Sequence, residues 1–123
     1  MGISSVQVIS IPVSDQERSV RFYRDALGFE VINDAEMNDT MRWLQLRPPH
    51  CEFTISLVTW FAEMPPGSLK GLVFGVDDID VVAADLGERG YLVDPNVIEE
   101  MWGRYVLLDD PDHNSLILMT PPK

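Results

Sequence analysis

At 123 residues the chain has the length of one domain, enough to bury roughly two-thirds of the surface its unfolded form exposes. Its 46% hydrophobic and 24% charged residues are those of a globular protein and exclude a disordered one. With 20 acidic against 9 basic residues the net charge is -11, which opposes binding to nucleic acid or to an anionic membrane.

Residues 1–6 lack the basic and long apolar regions of a signal peptide, and Val6 stands where a myristoylation motif wants Ser or Thr. Residues 3–13, rich in Val and Ile, read as a largely buried strand. Ser14 or Asp15 then caps a helix whose apolar Val20, Phe22, Tyr23, Ala26 and Leu27 recur at near-helical spacing until Gly28 stops it. Residues 29–32 form a short strand, and 41–46 and 53–60 longer ones joined through the Pro48-Pro49-His50 turn. Cys51 is the single cysteine, so neither a disulfide within the chain nor a cysteine zinc cluster is available. Residues 63–68, with Pro65, Pro66 and Gly67, are linker-like. Beyond them come a strand at 69–76, a helix at 77–89, a short strand at 91–93, and strands at 104–108 and 115–119 around a polar turn at 109–114. No apolar run approaches the roughly 18 residues of a membrane span, and a cytoplasmic location is expected.

The second half repeats the first. Val13-Ser14-Asp15 returns as Val76-Asp77-Asp78, and Arg42-Trp43-Leu44-Gln45-Leu46 as Arg104-Tyr105-Val106-Leu107-Leu108, offset by 63 and 62 residues. A fixed offset means two copies of one supersecondary unit. The expectation is therefore one α+β domain of two β-α-β-β-β units, 1–62 and 69–123, whose curved mixed sheets surround a shared hollow. Alternation sorts the strand faces. Leu44, Leu46, Phe53, Ile55, Leu57, Leu72, Phe74 and Val76 should pack on the helices. Trp43, Gln45, Thr54, Ser56, Val58, Trp60, Gly71, Val73, Gly75, Tyr105 and Leu107 should line the hollow, an aromatic and aliphatic lining with a few uncharged polar groups.

Trp43, Trp60, Trp102 and Tyr105 form the candidate stacking set, with Gln45, Thr54 and Ser56 as hydrogen-bonding groups. Aromatic residues on strands are more often core than recognition, but Trp43 and Tyr105 are repeat partners on the inferred inner face, where rings would stack a planar ligand or attract a cation. His50 and His113 fall in turns, where solvent alone explains a polar residue. Asp15 and Asp78 stand at helix starts, where capping explains them. Glu99, Glu100 and Arg104, near Trp102, could orient a ligand or supply a base if desolvated, although loop carboxylates are usually solvated. Gly67, Gly71 and Gly75 lack the following Lys-Ser/Thr of a phosphate loop.

The repeated β-α-β-β-β order, Phe22-Tyr23-Arg24-Asp25-Ala26-Leu27-Gly28-Phe29 after Val13-Ser14-Asp15, and the Asp110-Pro111-Asp112-His113-Asn114 turn resemble the vicinal oxygen chelate superfamily. It includes glyoxalases, extradiol dioxygenases, and fosfomycin- and bleomycin-resistance proteins. The resemblance covers nearly the whole chain and is specific for fold but not for reaction. It implies metal ligands on the first and fourth strands of each unit, which fall on Val8, Gly71, Ser56 and Ile117. A shift of one residue on the fourth strands would give Ile55, Leu116 or Leu118. None is a His or a carboxylate, so no metal and no cofactor is expected. The resemblance also implies a homodimer. The expected function is metal-independent binding of a small aromatic or cationic molecule, antibiotic-like, as in the bleomycin-resistance branch, with net charge steering a cation toward it. The alternative is a glyoxalase-like lyase or isomerase, or a metal-free tailoring enzyme for a natural product.

Overall fold

The computed structural model describes residues 2–122. In the first unit, β1 (Val8–Pro12) leads into α1 (Gln16–Asp25), followed by β2 (Glu30–Asn38), β3 (Met41–Arg47) and β4 (Thr54–Val58). The sheet order is β1-β4-β3-β2, with β1 parallel to β4 and the other pairs antiparallel. The second unit repeats this. β5 (Leu72–Gly75), α2 (Ile79–Glu88), β6 (Ile98–Glu100), β7 (Gly103–Asp109) and β8 (Ser115–Thr120) build a sheet in the order β5-β8-β7-β6. This is the α+β architecture of paired β-α-β-β-β units.

Each helix begins where the sequence places it. The Asp15 carboxylate accepts from Arg18 N, and that of Asp78 from Asp80 N and Val81 N, satisfying donors that the first helical turn leaves free. The apolar faces of both sheets and both helices then join in one core. It holds Leu44, Leu46, Ile55 and Leu57 from the first sheet, and Phe74, Val106, Leu108, Leu116 and Leu118 from the second, around Tyr23, Ile79 and Leu86.

The strands expected at 53–60 and 69–76 are shorter, at Thr54–Val58 and Leu72–Gly75, and three larger differences have a physical reason. β1 starts at Val8 rather than residue 3, because residues 2–7 lie exposed ahead of the sheet. β2 runs to Asn38 rather than stopping at 32; it is an edge strand, most of it solvated, so Asp34 and Glu36 continue the ladder without any apolar alternation. Residues 91–93 are not a strand. Tyr91 N instead donates to Leu86 O at the end of α2, a helix-exit bond made possible by Gly90 in the left-handed region at φ 82°, and the strand comes later as β6.

The repeat also reproduces an ion-pair clamp. Arg42 on β3 bonds to Glu17 in the first turn of α1 and to Asp34 on β2, while Arg104 on β7 bonds to Asp80 in the first turn of α2 and to Glu99 on β6. The bonded Arg42 guanidinium holds the Asp34 carboxyl below its usual range. Arg104 thus ties β7 to α2 through Asp80 and to β6 through Glu99.

Candidate functional site

The face of the first sheet turned away from the core is assembled from four strands. Gln45 on β3 lies opposite Ser56 on β4, which in turn neighbours Ser10 on β1. On the outer side, Asn33 and Ala35 of β2 pair with Gln45 and Trp43. Trp60, just past β4, brings its ring to 6.3 Å from that of Trp43, with the planes inclined by 35°, and Phe61 follows at 6.0 Å from Trp60. Five of the residues expected to bind a ligand, Trp43, Gln45, Thr54, Ser56 and Trp60, therefore share one surface. Phe61 and Asn33 join them unanticipated. Asn33 was hidden by the early end assigned to β2, and Phe61 lies outside any strand, where alternation gives no direction.

The polar groups of this surface are unequally free. Gln45 Oε1 accepts from Trp43 Nε1 at 3.0 Å and from Asn33 Nδ2 at 2.9 Å, and Gln45 Nε2 donates to Thr54 Oγ1 at 2.8 Å. Thr54 Oγ1 passes the chain on to the Gln7 carbonyl at 2.7 Å. This relay fixes the Trp43 indole, so Gln45 and Thr54 act as orienting groups. Ser56 differs. It is fully buried, and its Oγ is the one buried side-chain polar atom among the described residues without a hydrogen-bond partner. A buried hydroxyl left in that state costs free energy.

Tyr105 and Trp102 stand on the second sheet, Tyr105 on β7 opposite Ile98 and Met119, and Trp102, exposed, in the turn between β6 and β7. Among the described residues no ring contact joins either to Trp43 or Trp60. On this sheet Val73 and Leu107 are about half exposed. His50 and His113 project from their turns with backbone in the left-handed region, at φ 60° and 67°, and both are exposed.

The four positions at which the family resemblance implies metal ligands do not carry a ligand set. Val8 and Ile117 lie on β1 and β8 and Gly71 just before β5, and their side chains carry no donor atom; Ser56 is a single hydroxyl. Among the described residues no three His, Cys, Asp or Glu side chains converge as a ligand set.

A cavity of 710 Å³ lies where α2 and β5 meet the turn between β3 and β4; of the residues expected on the hollow, Val73 and Gly75 line it, and none of Trp43, Gln45, Thr54, Ser56, Trp60, Trp102 and Tyr105 does. The helix-facing sides of both sheets pack in the common core.

Comparison with known proteins accords with this architecture. The model of the Glyoxalase/Bleomycin resistance protein/Dioxygenase superfamily matches residues 5–118. The crystal structure of TnmS3, an antibiotic binding protein from Streptomyces sp. CB03234, is 44% identical and superposes with a TM-score of 0.90 over 98% of each chain. A glyoxalase/bleomycin resistance protein from the same organism is 42% identical, with a TM-score of 0.82, covering 94% of this chain and 99% of that one. YetH of Bacillus subtilis (strain 168), an uncharacterized protein, is 28% identical over 94% of this chain and 98% of its own. The chain belongs to the glyoxalase/bleomycin resistance protein/dioxygenase superfamily.

Proposed function

We propose that the chain binds a small, planar aromatic molecule, antibiotic-like in kind, on the outward face of its first sheet, without a metal and without chemical turnover. The observation that carries this reading is the Trp43–Trp60 ring pair, with the Trp43 indole held by the Gln45–Thr54 relay. Rings held in place give stacking area at little entropic cost. Trp43, Trp60, Gln45 and Thr54 are uncharged, so the stacked part of the ligand is neutral. Any cationic substituent points to solvent, where the net charge of -11 favours its approach. The description of TnmS3 as an antibiotic binding protein supports the same class of ligand.

A homodimer belongs to this proposal. Leu107 is an exposed apolar residue on the second sheet, and Tyr105 lies beside it in no ring contact among the described residues. In a dimer, a second chain would bring this surface over the first-sheet face and add Tyr105 and Trp102 to the site.

The test is Trp60→Ala, which removes one ring of the pair. Binding of a planar aromatic antibiotic should weaken by about tenfold or more, roughly 1–2 kcal/mol, and the ligand is recovered chemically unchanged. Turnover of the ligand would favour the enzymatic alternative, and unchanged affinity in the variant would remove the ring pair from the site.

A further inference from the structure

The two units meet at two joints related by the internal repeat, and only one of them is closed. At the first, β1 and α1 face the turn between β7 and β8. Asn114 Nδ2 donates to Pro12 O at 2.7 Å, Tyr23 Oη donates to Asp110 Oδ2 at 2.8 Å, and Arg18 and Ser19 reach the Asp112 carboxylate. At the second joint, β5 and α2 face the turn between β3 and β4. Positions 63 residues on from Pro12, Arg18, Ser19 and Tyr23 are Gly75, Val81, Val82 and Leu86, and the turn presents Pro48, Pro49 and Cys51. None of these side chains can make the bonds of the first joint. The Cys51 thiol turns back to its own turn, donating to Pro49 O. What remains is the 710 Å³ cleft.

We propose that this cleft is a second small-molecule site, separate from the first-sheet face, for a neutral, mainly apolar ligand carrying one hydrogen-bonding group. Its volume is that of a small-molecule pocket, and its wall includes Phe53 and Phe74, whose rings stack at 6.0 Å with planes 19° apart. The hydrogen-bonding group is met by backbone. Val76 N donates to Met119 O, and the parity of the parallel ladder then leaves the N–H and C=O of Val73 and Gly75 pointing off the free edge of β5. A Cβ built on Gly75 would meet nothing within 4 Å, so a ligand can approach that backbone closely. The charge at the rim is already cancelled. Arg89 is paired with Asp85 at 2.8 Å and donates to the carbonyls of Asp25 and Ala26, which selects against an ionic ligand.

The shape also argues against a second copy of the chain as occupant. β5 is only four residues long, a short edge for strand addition, and a concave cleft is not its own complement across a two-fold axis.

Cys51 supplies the test, because it lines this cleft and is the chain's only cysteine. Its rate of reaction with 5,5′-dithiobis(2-nitrobenzoate) reports occupancy here and nowhere else. The neutral probe N-phenyl-1-naphthylamine, at ten times its dissociation constant, should slow that reaction by about tenfold. Val81→Asp, an exposed helix position at the cleft, should abolish the protection while leaving the first-sheet tryptophans as accessible to their own ligand as before; Trp43→Ala should preserve the protection. A Cys51 rate indifferent to the probe overturns the proposal. So does protection lost in Trp43→Ala, which would place the probe on the first sheet. Protection that exists without probe and disappears on dilution of the protein would assign the cleft to contact between copies of the chain.

Discussion

Asp110 gathers four hydrogen bonds at the closed joint. Its carboxylate, almost fully buried, accepts from Tyr23 Oη, from Asn114 Nδ2, and from the backbone N–H groups of Asp112 and Asn114. Burial first, and then the negative carboxylate of Asp110, push the Tyr23 phenol above its ordinary value of 10.0. The native state therefore keeps this proton at a pH where the unfolded chain releases it. Stability from this source is complete below pH 10 and is lost as pH rises above it. Urea unfolding followed from pH 8.5 to 11 should show that decline in the wild type and a shallower one in Tyr23→Phe. At neutral pH the same variant should lose about 1–2 kcal/mol, because a charged acceptor forfeits one donor while keeping three. An equal slope in both proteins would assign alkaline unfolding to other groups.

Among the elements, those with a strong local signal were legible and those held by edges were not. The helix starts at Asp15 and Asp78 could be read because a carboxylate before an apolar-periodic run has one dominant physical use. The inner strands β3, β4, β7 and β8 could be read because one face of each is fully buried. The extent of β2 and the position of β6 could not, since both are edge strands facing solvent and carry Asp, Glu and Asn where an inner strand carries alternating apolar residues. The linker segment is held more tightly than its Pro-Pro-Gly composition suggests. Gly67 adopts φ 85°, and a Cβ there would lie 2.3 Å from the carbonyl oxygen of Asp112. Gly67→Ala combines a strained backbone, of order 1–3 kcal/mol, with a clash against the closed joint, and should lower the melting temperature clearly. A melting temperature within error of the wild type would mean that the segment is free to move away.

At the scale of the whole molecule, the internal repeat gave the architecture but not the location of open space. Two units related by a constant offset suggested one hollow between them. The helix-facing residues of both units join in a common core, and the two repeat-related joints diverge because Tyr23, Ser19 and Arg18 on one side are matched by Leu86, Val82 and Val81 on the other. The first-sheet part of the candidate site was legible, since alternation alone put Trp43, Gln45, Thr54 and Ser56 on one face. What alternation could not reveal is which of those polar groups were already bonded to each other. The absence of donor side chains at Val8, Gly71 and Ile117 was equally plain from sequence. Added zinc, nickel, manganese or iron(II) should leave the melting temperature unchanged, whereas a rise saturating at one ion per chain would require ligands from elsewhere in the chain.

In the proposed mode of binding, ligand recognition rests on the Trp43 face without a metal. Its most direct test is an equilibrium titration of chelator-treated protein with planar aromatic antibiotics, followed by tryptophan fluorescence in the wild type and in Trp43→Ala. The expected result is saturable quenching in the wild type and binding weaker by about thirtyfold in the variant, the loss of one aromatic anchor of roughly 2 kcal/mol. A compound that binds both proteins equally, or binds only when a metal ion is restored, would contradict it.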